Sequence, residues 1–279
     1  MSRYETPTLN AARLQAYARR IGHVGPLLAD LATLDALHRR QPEALPFENL
    51  DSFLGRPVNI DLDSVFAKLV EAGRGGYCFE HNGLLAAVLT TLGFEVTGYP
   101  ARVLWDLGPE VHVPLTHMVL HVRCAEGEYL TDVGFGRLSL TAPLLLEAGE
   151  QQTPHERYRL IRESDGWTLA AHIGGQWRSL YRYGLTPAQL CDYAQMNWFV
   201  STHPDSRFVR NLIAARVDGE RRHTLLNNRL TTRLGDERVE QRVFSGGVEL
   251  RECLERQFAL RVPQNLLVDQ RLESLCHSD

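Results

Sequence analysis

Residues 73–92 read Gly-Arg-Gly-Gly-Tyr-Cys-Phe-Glu-His-Asn and then Gly-Leu-Leu-Ala-Ala-Val-Leu-Thr-Thr-Leu. The second half is long, apolar and rich in Leu and Ala, which reads as a buried helix rather than a strand. Gly73, Gly75 and Gly76 come immediately before it, so Cys78 falls in the first turn of that helix, beneath a flexible loop. Unpaired amides and the positive end of the helix dipole favour a thiolate at such a place, and a nearby histidinium would lower the thiol pKa further. Cys78 is therefore a candidate nucleophile. The plain alternative is that a buried cysteine fills space.

Upstream, residues 8–85 read as helical. Thr8 or Asn10 can cap a first helix carrying Leu14, Tyr17 and Ile21 at helical spacing, closed by Gly22. A second helix is expected from Pro26 to about Arg40, with Leu28, Leu31, Leu34 and Leu37 on one stripe. Pro46 interrupts any helix and leaves Phe47 to pack or to be presented. A short helix follows over Leu62–Glu71, with Asp63 or Ser64 as cap.

Downstream the period changes. Phe94–Trp105, Thr116–Cys124, Glu128–Val133 and Tyr158–Ala170 are β-branched or alternating runs, separated by turns such as Glu126-Gly127 and Asp165-Gly166. Strands in succession with no helix between them suggest an antiparallel barrel or sandwich. Thr186-Pro187-Ala188-Gln189 has the form of a capping box opening a helix to about Trp198. Beyond it, Arg222–Leu226 and Arg229–Leu234 fit a hairpin around Asn227-Asn228, followed by a strand through Phe244 and a helix over Val248–Phe258. The expected organisation is α+β in three parts: 1–92 helical and carrying Cys78, 93–185 all β, and 186–279 mixed.

The 279 residues carry 30 basic and 34 acidic side chains, a formal charge of −4. No basic excess points to nucleic acid or an anionic membrane, and no apolar run approaches the ~20 residues needed to span a bilayer. Met-Ser-Arg-Tyr-Glu-Thr-Pro lacks the pattern of a signal peptide, so a cytoplasmic location is expected. Five widely spaced cysteines without a Cys-x-x-Cys argue against a disulfide framework.

A nucleophilic cysteine needs a base and a group that orients the base. In Thr116-His117-Met118-Val119-Leu120-His121-Val122, alternation puts His117 and His121 on one strand face. Asp132 ends the next expected strand, and a carboxylate among such apolar neighbours requires a partner. A hairpin centred near residue 127 would set Asp132 opposite about residue 122, so contact with His117 needs a bulge, a register shift or a bend. A Cys/His zinc reading of Cys78, His81, His117 and His121 fails on distance. His117 and His121 would lie ~13 Å apart on one strand, too far to share an ion. His81 and His121 read as structural or pocket-lining.

Arg74-Gly75-Gly76-Tyr77-Cys78-Phe79-Glu80, Thr116-His117 with its apolar strand, and Asp132-Val133-Gly134-Phe135-Gly136 together resemble the signature segments of the arylamine N-acetyltransferases. Pro46-Phe47-Glu48-Asn49-Leu50-Asp51 and Ser201-Thr202-His203-Pro204 through Phe208 resemble further family segments, so the likeness runs over nearly the whole chain. The resemblance implies a cysteine-protease-like core, with a helical bundle, a central antiparallel β-barrel and an α/β lid. It implies a catalytic triad of Cys78, His117 and Asp132. It also implies two-step transfer of acetyl from acetyl-CoA, through a Cys78 thioester, to arylamines, arylhydrazines or N-hydroxyarylamines, with no metal. By the same likeness Phe47, Phe135 and Phe208 line the acceptor pocket, and Thr116 and Gly136 approach the CoA. Backbone amides, with those of Cys78 and Thr116 as candidates, would hold the oxyanion. The molecule is expected to work as a monomer or homodimer.

Three other readings use the same residues. An aryl amide synthase would take its acyl group from a carrier other than acetyl-CoA. A triad-type cysteine hydrolase or a transglutaminase-like protein would use water or lysine as acceptor. A non-catalytic or metal-stabilised domain would leave Cys78 unreactive.

Overall fold

The computed structural model describes residues 6–105, 107, 111–235 and 237–277. Residues 1–5 of the amino-terminal stretch and Ser278-Asp279 of the tail lie outside the described residues.

The amino-terminal third is helical. Helix α1 (Ala11–Arg20) is capped by Asn10, whose side chain accepts from Arg13 N at 2.9 Å, as expected. Helix α2 spans Leu31–Ala44 rather than starting at Pro26. Asp30 accepts from Thr33 N at 2.8 Å, so the start belongs to the first side chain able to satisfy an orphan amide. A short strand β1 (Phe47–Glu48) and a single turn α3 (Leu50–Phe53) follow. Helix α4 (Leu62–Phe66) is capped by Asp61, two or three residues before the expected caps, and widens into a π-type turn over Ala67–Glu71. Helix α5 (Cys78–Leu92) runs through the core with all of Leu84–Leu89 buried, and Gly93, at φ 97°, ends it in the left-handed region.

The β region is an eight-stranded antiparallel sheet rolled into a nearly closed barrel. Its strands are β2 (Glu95–Val103), β3 (His117–Cys124), β4 (Gly127–Thr131), β5 (Leu144–Leu145), β6 (Gly149–Gln152), β7 (Arg157–Arg162), β8 (Gly166–Ile173) and β9 (Gln176–Gly184). In space they run β5-β4-β3-β2-β9-β8-β7-β6. The two open edges are stitched by one side chain: Gln151 Oε1 accepts from Leu145 N at 2.8 Å and its Nε2 donates to Leu145 O at 2.7 Å. Val119, Leu130, Tyr158, Leu169, Leu180 and Tyr181 fill the interior. The run expected as one strand from Tyr158 to Ala170 is two, β7 and β8, and it turns over before Gly166.

The third part begins with helix α6 (Leu190–Thr202), not with a cap at Thr186. Asp192 reaches back to the amide of Gln189 at 2.8 Å and fixes the start three residues later. After the turn α7 (Arg207–Arg210), strands β10 (Ile213–Asp218), β11 (Arg221–Leu226), β12 (Arg229–Leu234) and β13 (Glu237–Val243) form a sheet in which β1 is the outermost strand next to β10. β11 and β12 meet through Asn227-Asn228 as expected, with Leu226 opposite Arg229 and Asn227 at φ 55°. Helices α8 (Gly247–Arg256) and α9 (Leu266–Cys276) cover it. Leu50 and Phe53 of α3 pack into this third core, so the amino-terminal part is tied to the carboxy-terminal one. No helix among the described residues is long and apolar enough to cross a membrane.

Candidate active site

Cys78 is the first residue of α5, and the loop in front of it is tied down rather than flexible. Gly76 bridges Phe47, and Glu48 N donates to Gly76 O at 2.8 Å. A side chain at Gly75 would collide with Pro46 O at 2.1 Å, so this glycine serves close backbone approach rather than mobility. Arg74 binds the buried Glu48 at 2.7 Å, and Lys68 binds the buried Glu80 and Asp51, each at 2.8 Å. Glu80 in turn accepts the amide of Tyr77 at 2.9 Å, so paired charges hold the end of the helix that presents Cys78.

His117 and Asp132 come from the hairpin of β3 and β4. Its pairs add to 251 rather than 254, because only Ala125 and Glu126 lie between Cys124 and Gly127. One step beyond Thr131 this register brings Asp132 level with Val119, a diagonal neighbour of His117 on the same face. The register shift needed for contact is present: His117 Nε2 lies 2.8 Å from Asp132 Oδ2. The other carboxylate oxygen, Oδ1, accepts from Asn82 Nδ2 at 2.9 Å and Gly134 N at 3.0 Å. Burial pushes the Asp132 carboxyl up, but the His117 charge and these hydrogen bonds outweigh it and hold the group below the usual carboxylate range. The contact of Nε2 with Asp132 leaves Nδ1 as the ring nitrogen available to a thiol. Phe135 and Tyr181 hold the imidazole from two sides, with ring centroids 5.3 and 5.1 Å away.

Gly134 lets the hairpin close on the helix. A Cβ there would lie 2.7 Å from Cys78 Cα. Cys78 Sγ is 3.6 Å from Thr116 O, and Cys78, Thr116 and His117 line one cavity of about 640 Å³. Burial pushes the Cys78 thiol up and the Asp132 charge adds to this, against the pull of the Phe79 and Met118 amides. The expected lowering of the thiol pKa by the helix end is thus outweighed, because the group is 3% exposed. In so dry a place the thiol gives up its proton only to a base in the same cavity.

Phe47, Phe135 and Phe208 line that cavity with Thr116 and Gly136, so all five pocket residues named from the sequence come together. Phe208 lies edge-on to Phe47 at 5.9 Å, and Gly136, at φ 84°, leaves room for the Phe47 ring, which would lie 3.3 Å from a Cβ there. One expectation gives way: the Thr116 amide donates to Ala101 O at 3.1 Å and is not available to an oxyanion. The Cys78 amide, at the first helical position, has no intrahelical acceptor. His81 lies behind the site with its Nε2 3.2 Å from Pro46 O, and His121 Nε2 is 2.9 Å from Tyr183 OH. Burial lowers both imidazoles to about 4. No cluster of three or more His, Cys, Asp or Glu that could hold a metal ion occurs among the described residues.

Sequence reasoning misses Asn82, which also donates to Met118 O at 2.7 Å and accepts from Val133 N at 3.0 Å. Its signal is present, since it stands four residues after Cys78 on the same helix face. It also misses His38, whose Nε2 accepts from the amide of Asp132 at 3.2 Å, and Tyr181, which lies on the unforeseen strand β9.

Residues 30–267 match the family model described as N-acetyltransferase. The chain is 47% identical over 225 residues to the arylamine N-acetyltransferase of Mycolicibacterium smegmatis, covering 79% of this chain and 82% of that one. It is 38% identical over 253 residues to the arylamine N-acetyltransferase / N-hydroxyarylamine O-acetyltransferase of Salmonella typhimurium, 89% of each chain. The structure of the Mycobacterium marinum arylamine N-acetyltransferase in complex with CoA superposes with a TM-score of 0.91 at 36% identity, over 94% of this chain and 99% of that one.

Proposed function

Because this chain belongs to the arylamine N-acetyltransferase family, we propose that Cys78, His117 and Asp132 are the machinery with which it moves an acetyl group from acetyl-CoA to an aromatic amine. The observation that carries the residue assignment is the buried 2.8 Å contact of His117 with Asp132, in the cavity that Cys78 also lines. In the first half-reaction the Cys78 proton passes to His117 Nδ1 and the thiolate sulfur attacks the thioester carbonyl. The new S–C bond forms, the Cys78 amide supports the oxyanion, and collapse breaks the bond to the CoA sulfur, which takes the proton from His117. In the second, the amine nitrogen attacks the Cys78 thioester while neutral His117 accepts its proton. Collapse expels the Cys78 thiolate, which recovers that proton. Asp132 fixes the tautomer of His117 throughout.

The amine must carry a free electron pair near neutral pH, which suits weakly basic aryl nitrogens. Phe47, Phe135 and Phe208 give them an aromatic wall. Thr116 and Gly136 border the same cavity as the proposed approach of the donor. A cytoplasmic location and a monomeric or homodimeric state complete this reading.

Initial rates test it. With an aromatic amine varied at several fixed acetyl-CoA concentrations, double-reciprocal lines should run parallel, as two sequential half-reactions require. Intersecting lines would mean that both substrates must be bound before acetyl moves, and the thioester route would be abandoned.

A further inference from the structure

Strand β4 ends at Thr131, opposite Leu120, and Asp132 is the first residue past the ladder. The backbone amides that leave the strand need acceptors elsewhere, because buried N–H groups are nearly always paired. Three consecutive amides find them on side chains. Gly134 N donates to Asp132 Oδ1 at 3.0 Å, Val133 N to Asn82 Oδ1 at 3.0 Å, and Asp132 N to His38 Nε2 at 3.2 Å. The Asp132 carbonyl in turn accepts from Leu140 N at 3.0 Å. The first two acceptors belong to the hairpin end itself and to the Cys78 helix. The third comes from α2, whose residues stay out of the Cys78 cavity.

Helix α2 is a firm base for such a contact. Leu34, Leu37 and His38 are fully buried, and Gln41, one turn on, accepts from Tyr17 OH at 2.7 Å and donates to His81 O at 3.0 Å. One helix face thus holds the Cys78 helix through Gln41 and the Asp132 amide through His38. A donor N–H requires a ring nitrogen without a proton, so His38 carries its one proton on Nδ1. Burial pushes this imidazole down to about 4 against the raising effect of the Asp132 charge, so the ring stays neutral near neutral pH.

We propose that His38 is a positioning residue for the triad: its Nε2 fixes the Asp132 amide and so keeps the carboxylate where Oδ2 meets His117 Nε2. The inference deepens the Cys78-His117-Asp132 reading and rests on it. A carboxylate displaced from this place gives less support to the imidazolium that forms when His117 takes the Cys78 proton, and small misplacements cost rate steeply.

The experiment follows alkylation of Cys78 by iodoacetamide against pH, with the site read by peptide mass spectrometry, in the wild type, His38→Phe, His38→Gln and Asp30→Ala. Alkylation consumes thiolate, so its pH midpoint reports the Cys78–His117 pair. His38→Phe keeps a ring but strands the Asp132 amide. Its midpoint should rise by about one pH unit, and kcat for acetylation of an aromatic amine should fall roughly ten- to a hundredfold while KM for the amine changes little. His38→Gln, which can place an acceptor oxygen where Nε2 lies, should keep the wild-type midpoint and most of kcat. Asp30→Ala removes the α2 cap and should lower Tm without moving the midpoint, as a purely structural loss would. Should His38→Phe fail to fold, nitrogen-15 spectra of the wild type decide: a His38 ring protonated on Nδ1 alone supports the proposal, and a proton on Nε2 overturns it. A folded His38→Phe with the wild-type midpoint and kcat would overturn the role of His38 and leave the triad reading standing. A wild type with the same midpoint as His117→Ala would overturn both.

Discussion

Asp132→Asn should lower kcat/KM for acetyl-CoA by about 10⁴-fold, the scale found when a triad acid can no longer fix its histidine. The reason lies in what surrounds the two oxygens. Oδ1 accepts from two donors, Asn82 Nδ2 and Gly134 N, and Oδ2 accepts from His117 Nε2. An asparagine must turn its one oxygen toward the pair of donors, which aims its amide N–H₂ at His117. The histidine can then accept at Nε2 only by moving its proton to Nδ1, where it blocks uptake of the Cys78 proton. The reverse orientation would set an N–H₂ against two N–H groups in a buried site. Steady-state rates over pH 6–9 check this. A loss below tenfold would show that residue 132 does not set the tautomer.

Arg222→Met should cost about 3–5 kcal/mol of stability, the usual penalty for leaving one member of a buried ion pair alone. Arg222 of β11 and Glu156, just before β7, are 3% and 4% exposed and meet through two bonds of 2.6 Å. The same guanidinium donates to Ser139 O at 2.9 Å, and the Ser139 hydroxyl accepts from Gly136 N at 2.8 Å. The pair therefore joins the sheet of the third part to the loop that carries Phe135 and Gly136. Because two apolar side chains of similar size replace such a pair well, Arg222→Met/Glu156→Leu should be more stable than Arg222→Met alone. Urea unfolding of both variants checks this. A double variant no more stable than the single one would mean that packing, not the stranded charge, sets the cost.

What the chain reveals before it folds, and what it withholds, follows the range of the forces involved. Asn10, the Asn227-Asn228 hairpin and the buried Cys78 helix rest on residues close in sequence, and they stand where expected. The starts of α2 and α6 differ from expectation because several side chains compete to cap, and only the folded backbone decides between them. The barrel itself is legible, but its short edge strands β5 and β6 carry too few residues to show a period. In the site, Cys78, His117 and Asp132 are recognisable by type and spacing. The hairpin centre falls short of residue 127, so sequence spacing names the three side chains without showing how they meet. The Thr116 amide escapes the sequence reading because its partner, Ala101, is supplied by another strand. Asn82 shows its place on the Cys78 face of the helix by spacing, but its partners on the hairpin are set by tertiary register.

The central claim is that an acetyl group rests on Cys78 between donor and acceptor. Intact-protein mass spectrometry after brief exposure to acetyl-CoA, beside a Cys78→Ala variant and followed by a chase with an aromatic amine, examines it directly. The account predicts one acetyl group on the wild type only, discharged by the amine as the aryl amide. A wild type that stays unmodified while a thiol reagent still labels Cys78, or a Cys78→Ala variant that is acetylated as readily, would contradict it.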